Sequence, residues 1–338
     1  MALASPPQGR PHLNLASAHE RDELLRWVGE LYYLHDQSQA AIAAILGVSV
    51  SKVSRLLAEA RQQGIVSIHV SASLAGESDL ERTLAARFGL QAVYVAPARV
   101  AESAAASRVA ALAGARLFSR LAPSEGVVGF SGGYTLAQLV GALQPTDAQP
   151  LTVVPLQGTW ADGEVEVQSD QVCRDAAARL GGHALSLPAP IVVERASTRD
   201  ALLDDRAIRA VTEWWSAVSV AVVGIGGSPS DDPGYQSVMS ALPATVRDDL
   251  FRQGVVGDLC AHLFDAHGRF VEHEVIRRTL AIPIEQLRQV PCVVAVAGGV
   301  KKSPSLLGAL RTGTIHALIT DQLAAERLAT VADTGGQP

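Results

Sequence analysis

The sequence predicts an α/β protein: a small all-α head at the N-terminus, then a larger domain on a mainly parallel sheet. Three observations predict it. Up to Gly64 the apolar residues recur at helical spacing, with glycines and capping residues between the repeats. Beyond that point short valine-rich runs appear, nearly continuous in apolar character, as strands buried on both faces should be. Amphipathic helical stretches separate those runs, the pattern of strands joined by crossover helices.

The first stretch, MALASPPQGRPHLNLASAHE, has neither a signal peptide's apolar core nor a membrane-spanning run. Residues 1–19 read as a disordered leader. A helix is expected over 21–35, with Leu24, Val28, Leu31 and Tyr32 on one face. Asp36 and Ser38 offer turn and N-cap chemistry before a short helix through Ile42, Ile45 and Leu46, which Gly47 ends. Ser49 can cap a third helix whose inner face is Val53, Leu56, Leu57 and Ala60. Gly64 stops it, and IVSIHV (65–70) reads as a strand, so 20–70 is expected to be a winged-type helix-turn-helix domain. SASLAGES (71–78) is a plausible hinge. In the larger domain, 79–331, strands are expected at 92–96, 127–130, 151–156, 218–226, 292–297 and 316–320. Helices are expected at 101–121, 171–180, 199–215 and 303–311, and 332–338 is expected to fray.

Composition narrows the function. The net charge of −6 supplies no overall basic field, so any contact with nucleic acid must come from a local surface. Cys173, Cys260 and Cys292 are far apart and form no CxxC pair, which suggests reduced thiols in a cytoplasmic protein. His262, His267 and His273 lack a metal-ligand spacing, and neither a metal, a cofactor nor a membrane partner is expected.

The segment QAAIAAILGVSVSKVSRLLAEARQQG (39–64) carries the clearest functional pattern. Two short helices meet at a glycine turn, and Ala43 lets them approach where they cross. Ile42, Leu46, Val48, Val53 and Leu56 close a core from both sides. Outward at the start of the third helix stand Ser49, Val50, Ser51, Lys52, Ser54 and Arg55, and Gln39 opens the second helix. These are positions a recognition helix presents to a major groove. Hydroxyls and helix-start amides can hold phosphates, Val50 can touch a thymine methyl, and Lys52 or Arg55 can bond guanine or phosphate. A plain helical hairpin with a solvated face, or a module that only oligomerises, stays open as an alternative. Over 49–63, Lys52, Arg55 and Arg61 oppose Glu59, an excess of two positive charges. One copy should therefore bind duplex DNA weakly, so an oligomer, dimer or tetramer, on repeated half-sites is expected.

GFSGGYTLAQL (129–139) places a strand end, a glycine pair, a threonine and a helix in succession. Amides freed by Gly132 and Gly133, with the helix N-terminus behind them and the Thr135 hydroxyl beside them, can cradle an anion. A tight strand-to-helix turn without ligand is the plain alternative. AGGVKKSP (297–304) again follows a strand and precedes a helix, and Lys52, Lys301 and Lys302 are the chain's only lysines.

The segment YYLHDQSQAAIAAILGVSVSKVSRLLAEARQQGIVSI resembles the N-terminal domain of the SorC family of bacterial sugar-responsive transcriptional regulators. The resemblance continues through GVVGFSGGYTL, LGGHALSLPAP, VAVVGIG, GVVGDLCAHLFDAHGR, IPIEQLRQVPCVVAVAGGVKKSPSLLGALRTG and ALITD, covering about 21–328. It implies an effector domain similar to the sugar-phosphate isomerase and glucosamine-phosphate deaminase fold, which binds phosphorylated sugars or related metabolites without converting them. By that resemblance Lys302 reaches the ligand's phosphate or oxygens, and Asp258 accepts from sugar hydroxyls, though capping the next helix would also explain Asp258. Gly226 would let backbone approach the same cleft. Tyr134 stands where the family often carries a small polar residue, and Trp160 replaces a usually small one. Gln168 and Asp170 are further candidate ligand contacts. The resemblance implies a double-stranded DNA operator and a small carbohydrate or sugar-phosphate effector as partners. An isomerase or deaminase on the same fold is the alternative; no recognisable catalytic run nominates an acid or base for it.

Overall fold

The computed structural model describes residues 18–66, 78–97, 99–147, 149–160, 164–227, 239 and 242–331. The chain divides into two compact units, Met1–Leu74 and Ala75–Pro338. Of the sequence expectations, the body of the leader, the strand from residue 67 onward, most of the hinge and the C-terminal tail lie outside the described residues.

The first unit holds three helices, α1 (Ala18–Tyr33), α2 (Gln39–Leu46) and α3 (Val50–Gln62). α1 begins inside the expected leader and stops short of His35. The Ser38 hydroxyl caps α2 by accepting from the Ala41 amide at 3.1 Å, and Gly47 ends it in the left-handed region at φ 67°. The axes of α2 and α3 then meet at 103°, within the range of a helix-turn-helix. Leu25, Val28, Ile42, Val53, Leu56 and Ala60 are the centre of its core, with Ala43 buried at the crossing. Ile45, outside the expected core set, is 55% exposed. The buried arc of this two-turn helix is centred on Ile42, Ala43 and Leu46, and at about 100° per residue Ile45 falls outside it. Arg21 on α1 donates to Glu59 on α3, Nε to Oε1 at 3.0 Å, with a second bond from Nη2 to Oε2.

The second unit is a three-layer α/β sandwich. Its elements run α4 (Asp79–Phe88), β1 (Ala92–Ala96), α5 (Ser103–Leu121), β2 (Gly126–Phe130), α6 (Tyr134–Ala142), β3 (Leu151–Pro155) and α7 (Ser169–Leu180). After β4 (His183–Ala184), α8 (Ala196–Asp204) and α9 (Arg206–Thr212) comes the long strand β5 (Val218–Gly227). Then follow α10 (Ala244–Arg252), β6 (Val255–Leu259), β7 (His262–Asp265), α11 (Ile284–Leu287), β8 (Cys292–Val296), α12 (Ser303–Arg311), β9 (Ala317–Asp321) and α13 (Gln322–Thr330). The parallel sheet has the order β1-β9-β8-β5-β2-β3-β4. Both faces are covered: Val127, Val154, Val293 and Leu318 join one apolar cluster, while their neighbours Val128, Val153, Val294 and Ile319 join the other. That explains the continuous apolar runs in the sequence.

The six expected strands form within a residue or so of their expected bounds. The helix expected over 199–215 is instead three pieces. Asp205 adopts an extended backbone and uses its carboxylate to cap α9, accepting from Ala207 at 2.8 Å, which breaks the run. β6 and β7 form an antiparallel hairpin that the list of expected strands omits; β6 pairs with the far end of β5.

Candidate functional site

The sheet order fixes where a ligand can sit. From β2 the chain moves outward to β3 and β4, whereas β5 leads the other way to β8 and β9. The order therefore reverses between β2 and β5, and in open α/β sheets ligands bind outside the carboxyl ends of the strands at that reversal. A cleft of about 50 Å³ lies there. Ser131, Gly132, Gly133, Tyr134, Thr135 and Leu136 line it from the β2–α6 turn, and Gly224, Ile225 and Gly226 from β5. Asp258 and Cys260 come from the β6–β7 hairpin, Lys302 from the start of α12, and Gln157 and Trp160 from beyond β3.

The glycine pair works differently from its sequence reading. The Gly133 amide is not free; it donates to Val167 O at 2.8 Å. At φ 119° Gly133 adopts a backbone that side chains rarely tolerate, and so turns the chain into α6. A Cβ on Gly132 would lie 2.9 Å from Val167 O, so its bareness serves packing. The amides available to an anion are those of the first turn of α6, at Tyr134, Thr135 and Leu136, which have no partner within the helix. The Ser131 hydroxyl accepts from Gly224 N at 3.2 Å and joins the two strand ends.

Opposite α6, the Lys302 ammonium lies 3.4 Å from Ile225 O, at the end of β5. Asp258 is 7% exposed and registers against Gly226 across the β5–β6 pair. A Cβ at Gly226 would fall 2.0 Å from its Oδ1, so glycine is what lets this carboxylate lie against the strand. Gly224 is the reverse case: a Cβ there would meet open space. At the mouth, the Tyr134 hydroxyl is hydrogen-bonded to Glu164; that bond, burial and the charges of Glu164 and Glu166 push the phenol up. Burial, reinforced by Asp258, pushes the Cys260 thiol up, so it stays protonated at neutral pH. The cleft thus brings together an ammonium and helix-start amides, groups able to meet an anion, and a carboxylate able to accept from hydroxyls.

Two candidates stand back from the cleft. Gln168 clamps the Trp160 backbone, accepting from its amide at 2.8 Å and donating to its carbonyl at 3.2 Å, so it positions the indole residue. The Asp170 carboxylate accepts from Leu187 N at 3.1 Å and from the Ser186 hydroxyl, a brace between α7 and the segment after β4. Sequence reasoning missed Ser131, Gln157 and Cys260, and also Asp321. The buried Asp321 carboxylate accepts from Gly299 at 2.5 Å and from Leu323 and Ala324, so it ties the loop carrying Lys302 to α13. Ser131 and Asp321 were visible as polar residues at strand ends; Cys260 gave no such signal.

The head presents a second surface. The Ser49 hydroxyl caps α3, accepting from Lys52 N at 3.3 Å, and lies 3.0 Å from the Ser51 hydroxyl. Val50 is 48% exposed, and Ser51, Ser54 and Arg55 are exposed beside it, with Lys52 and Gln39 half-buried. Glu59, the one acid on α3, is held by Arg21, whose hydrogen bond pulls its carboxyl below the usual range. The positive excess on α3 is thus larger than its own sequence suggests.

Comparison with known proteins decides the family. Residues 72–330 match the family model described as "Putative sugar-binding domain". The chain is 30% identical over 306 residues to the sorbitol operon regulator of Klebsiella pneumoniae, covering 89% of this chain and 96% of that protein. The chain belongs to the SorC family of sugar-binding transcriptional regulators. It is also 28% identical over 324 residues to the deoxyribonucleoside regulator of Bacillus subtilis, covering 91% of this chain and 98% of that one. The crystal structure of the full-length sorbitol operon regulator SorC from Klebsiella pneumoniae covers 91% of this chain and 99% of its own, at 29% identity and a TM-score of 0.70. These relatives are regulators, so this SorC-family chain is a transcriptional regulator and not an isomerase or deaminase. Among the described residues no single helix is long and apolar enough to cross a membrane; α2 and α3 pass only as a sharply bent pair.

Proposed function

We propose that this regulator grips a double-stranded operator through α3 and tunes that grip by binding a small phosphorylated sugar or related carbohydrate metabolite. On this reading Gln39, Ser49, Val50, Ser51, Lys52, Ser54 and Arg55 face the major groove and its phosphates. The effector's phosphate lies between the first turn of α6, Thr135 and Lys302, and Asp258 accepts from its hydroxyls. The protein acts in the cytoplasm as a dimer or tetramer, because one α3 with few cations neutralises few phosphates. The observation that carries the reading is the meeting of a helix N-terminus, a lysine and a buried aspartate at the β2/β5 reversal. The cleft is small, about 50 Å³, so a sugar phosphate bound there extends into its mouth.

Gly224→Val tests the site. A Cβ there meets nothing within 4 Å, so the variant should fold while its two methyls occupy the cleft. In a thermal-shift screen of sugar phosphates and free sugars, the parent should be stabilised by a phosphorylated compound and Gly224→Val by none. Stabilisation by unphosphorylated compounds alone would reject the phosphate cradle, and an equal response from Gly224→Val would reject the cleft.

A further inference from the structure

A larger recess than the cleft lies elsewhere in the second unit. A recess of about 740 Å³ lies between β7, the turn at 270–278 and α11. Leu263, Phe270, Val271, Ile276 and Ile284 provide apolar lining, and Leu263 is buried while the others are half-buried. Around them stand Glu272, Arg277, Glu285 and Arg288, all four exposed. None of these four has an ion-pair partner among the described residues; Arg288 lies over the Phe270 ring at 5.0 Å. By contrast, Arg199 at the rim pairs with Asp200, and Glu274 with Arg278.

The charge pattern distinguishes between occupants. A site for an anionic metabolite would converge cations, and a site for a cation would converge acids. Here two arginines and two glutamates share the lining of one recess with apolar side chains. A two-fold contact between identical chains requires one patch to be complementary to itself, so it must carry both signs. An apolar centre with a charged rim is also the anatomy of a protein interface.

We propose that this recess is the face through which two copies of the chain associate, Arg277 and Arg288 of each meeting Glu272 and Glu285 of the other. This names the surface for the self-association in the proposed function and rests on that reading. Rotation about a two-fold axis makes the pairs occur twice.

The test is a charge-reversal pair in the full-length chain, read by sedimentation across a dilution series. Arg277→Glu with Arg288→Glu leaves the rim acidic; Glu272→Lys with Glu285→Lys leaves it basic. Each variant alone should associate at least about tenfold more weakly than the parent, because like charges then face each other, and an equimolar mixture should recover association. A mixture that fails to recover, or variants that associate like the parent, overturns the surface assignment. A parent that stays monomeric at every concentration overturns the self-association reading as well, which separates the two failures. Hydrogen exchange on the unaltered chain supplies a measurement independent of variant folding. Amides of 270–288 should gain protection with concentration, and concentration-dependent protection confined to other segments overturns the proposal.

Discussion

Asp321→Asn tests how the loop that carries Lys302 is held. Asp321 closes β9 with no exposed surface. Its Oδ1 accepts from Leu323 at 3.0 Å and Ala324 at 3.2 Å, capping α13, while Oδ2 accepts from Gly299 at 2.5 Å. Asparagine keeps a single oxygen. Left on the helix cap, that oxygen puts the amide NH₂ against the Gly299 N–H, two donors facing each other in a buried site. A hydrogen bond to a charged group contributes about 1.5–3 kcal/mol, and an unsatisfied buried donor costs about 1–3 kcal/mol. These overlap, so the expected loss is about 3 kcal/mol, and Asp321→Ala, which also removes the cap, should lose about 1 kcal/mol more. In a domain of this size each 1 kcal/mol moves the midpoint by about 2–4 °C, so Asp321→Asn should melt about 6–12 °C lower. Urea unfolding followed by circular dichroism, with the slope compared between variants, gives the free energy directly. A loss below about 0.5 kcal/mol, the range of ordinary surface substitutions, would refute the reasoning.

Asp265 gives a pH prediction. Burial would raise its carboxyl, but amide bonds from Arg269 and His267 and the Arg269 guanidinium outweigh it and hold the group below the usual carboxylate range. A depressed folded pKa stabilises fully above the unfolded value of about 3.9 and is lost as pH falls through the folded one. The stability gap between parent and Asp265→Asn should therefore be flat at neutral pH and close in acid; a gap that persists there contradicts the assignment. His262 runs on different chemistry: burial lowers its pKa, so below about 6.5 the unfolded chain takes up a proton the folded one resists, and stability falls with pH. His262→Gln should lose that acid-side slope in pH-dependent unfolding. Lys52→Ala with Arg55→Ala should weaken operator binding and lower the salt slope by about 1 per phosphate contact removed, leaving effector binding intact; unchanged gel shifts count against α3 as the reading helix. Ala261, buried in the β6–β7 turn at φ 65°, carries a left-handed backbone that costs a non-glycine residue about 1–2 kcal/mol. Ala261→Gly should therefore be neutral or slightly stabilising in urea unfolding, and a clear loss would show that the methyl's packing outweighs the backbone term.

The sheet was legible because strands buried on both faces must be continuously apolar, and AVYVA, VVGF and CVVAVA are. The hairpin of β6 and β7 was hard to read for a related reason. β6 carries Asp258 and a glycine, and its two-residue turn is Cys260–Ala261, both left-handed, where asparagine or glycine would have announced a hairpin. Within the cleft, the residues with a local signature, the glycine turn before α6 and the lysine after β8, fall where the sequence puts them. Gln168 and Asp170 do not, because no periodicity reports whether a polar side chain faces a cleft or braces a neighbouring backbone. The same limit hid the engagement of the Gly133 amide, which depends on Val167, far along the chain.

That hairpin also limits how an effector could act. Asp258, before its turn, and Cys260, in it, line the small cleft, while His262 and Leu263, after it, line the large recess. The antiparallel ladder, with Asp258 opposite Leu263 and Leu259 opposite His262, ties the two strands to each other. A ligand that draws on Asp258 would therefore move β6 and β7 together instead of bending the turn between them. On the proposed reading, effector binding and the packing of the recess then share one rigid element. The effector can change association, and through it operator affinity, only by the difference in its own affinity for the two arrangements of that element. A tightly bound compound that touches Lys302 and α6 but not Asp258 would then bind without regulating. On that reading tight binding and regulation are separable, and the carboxylate of Asp258 is where they would separate.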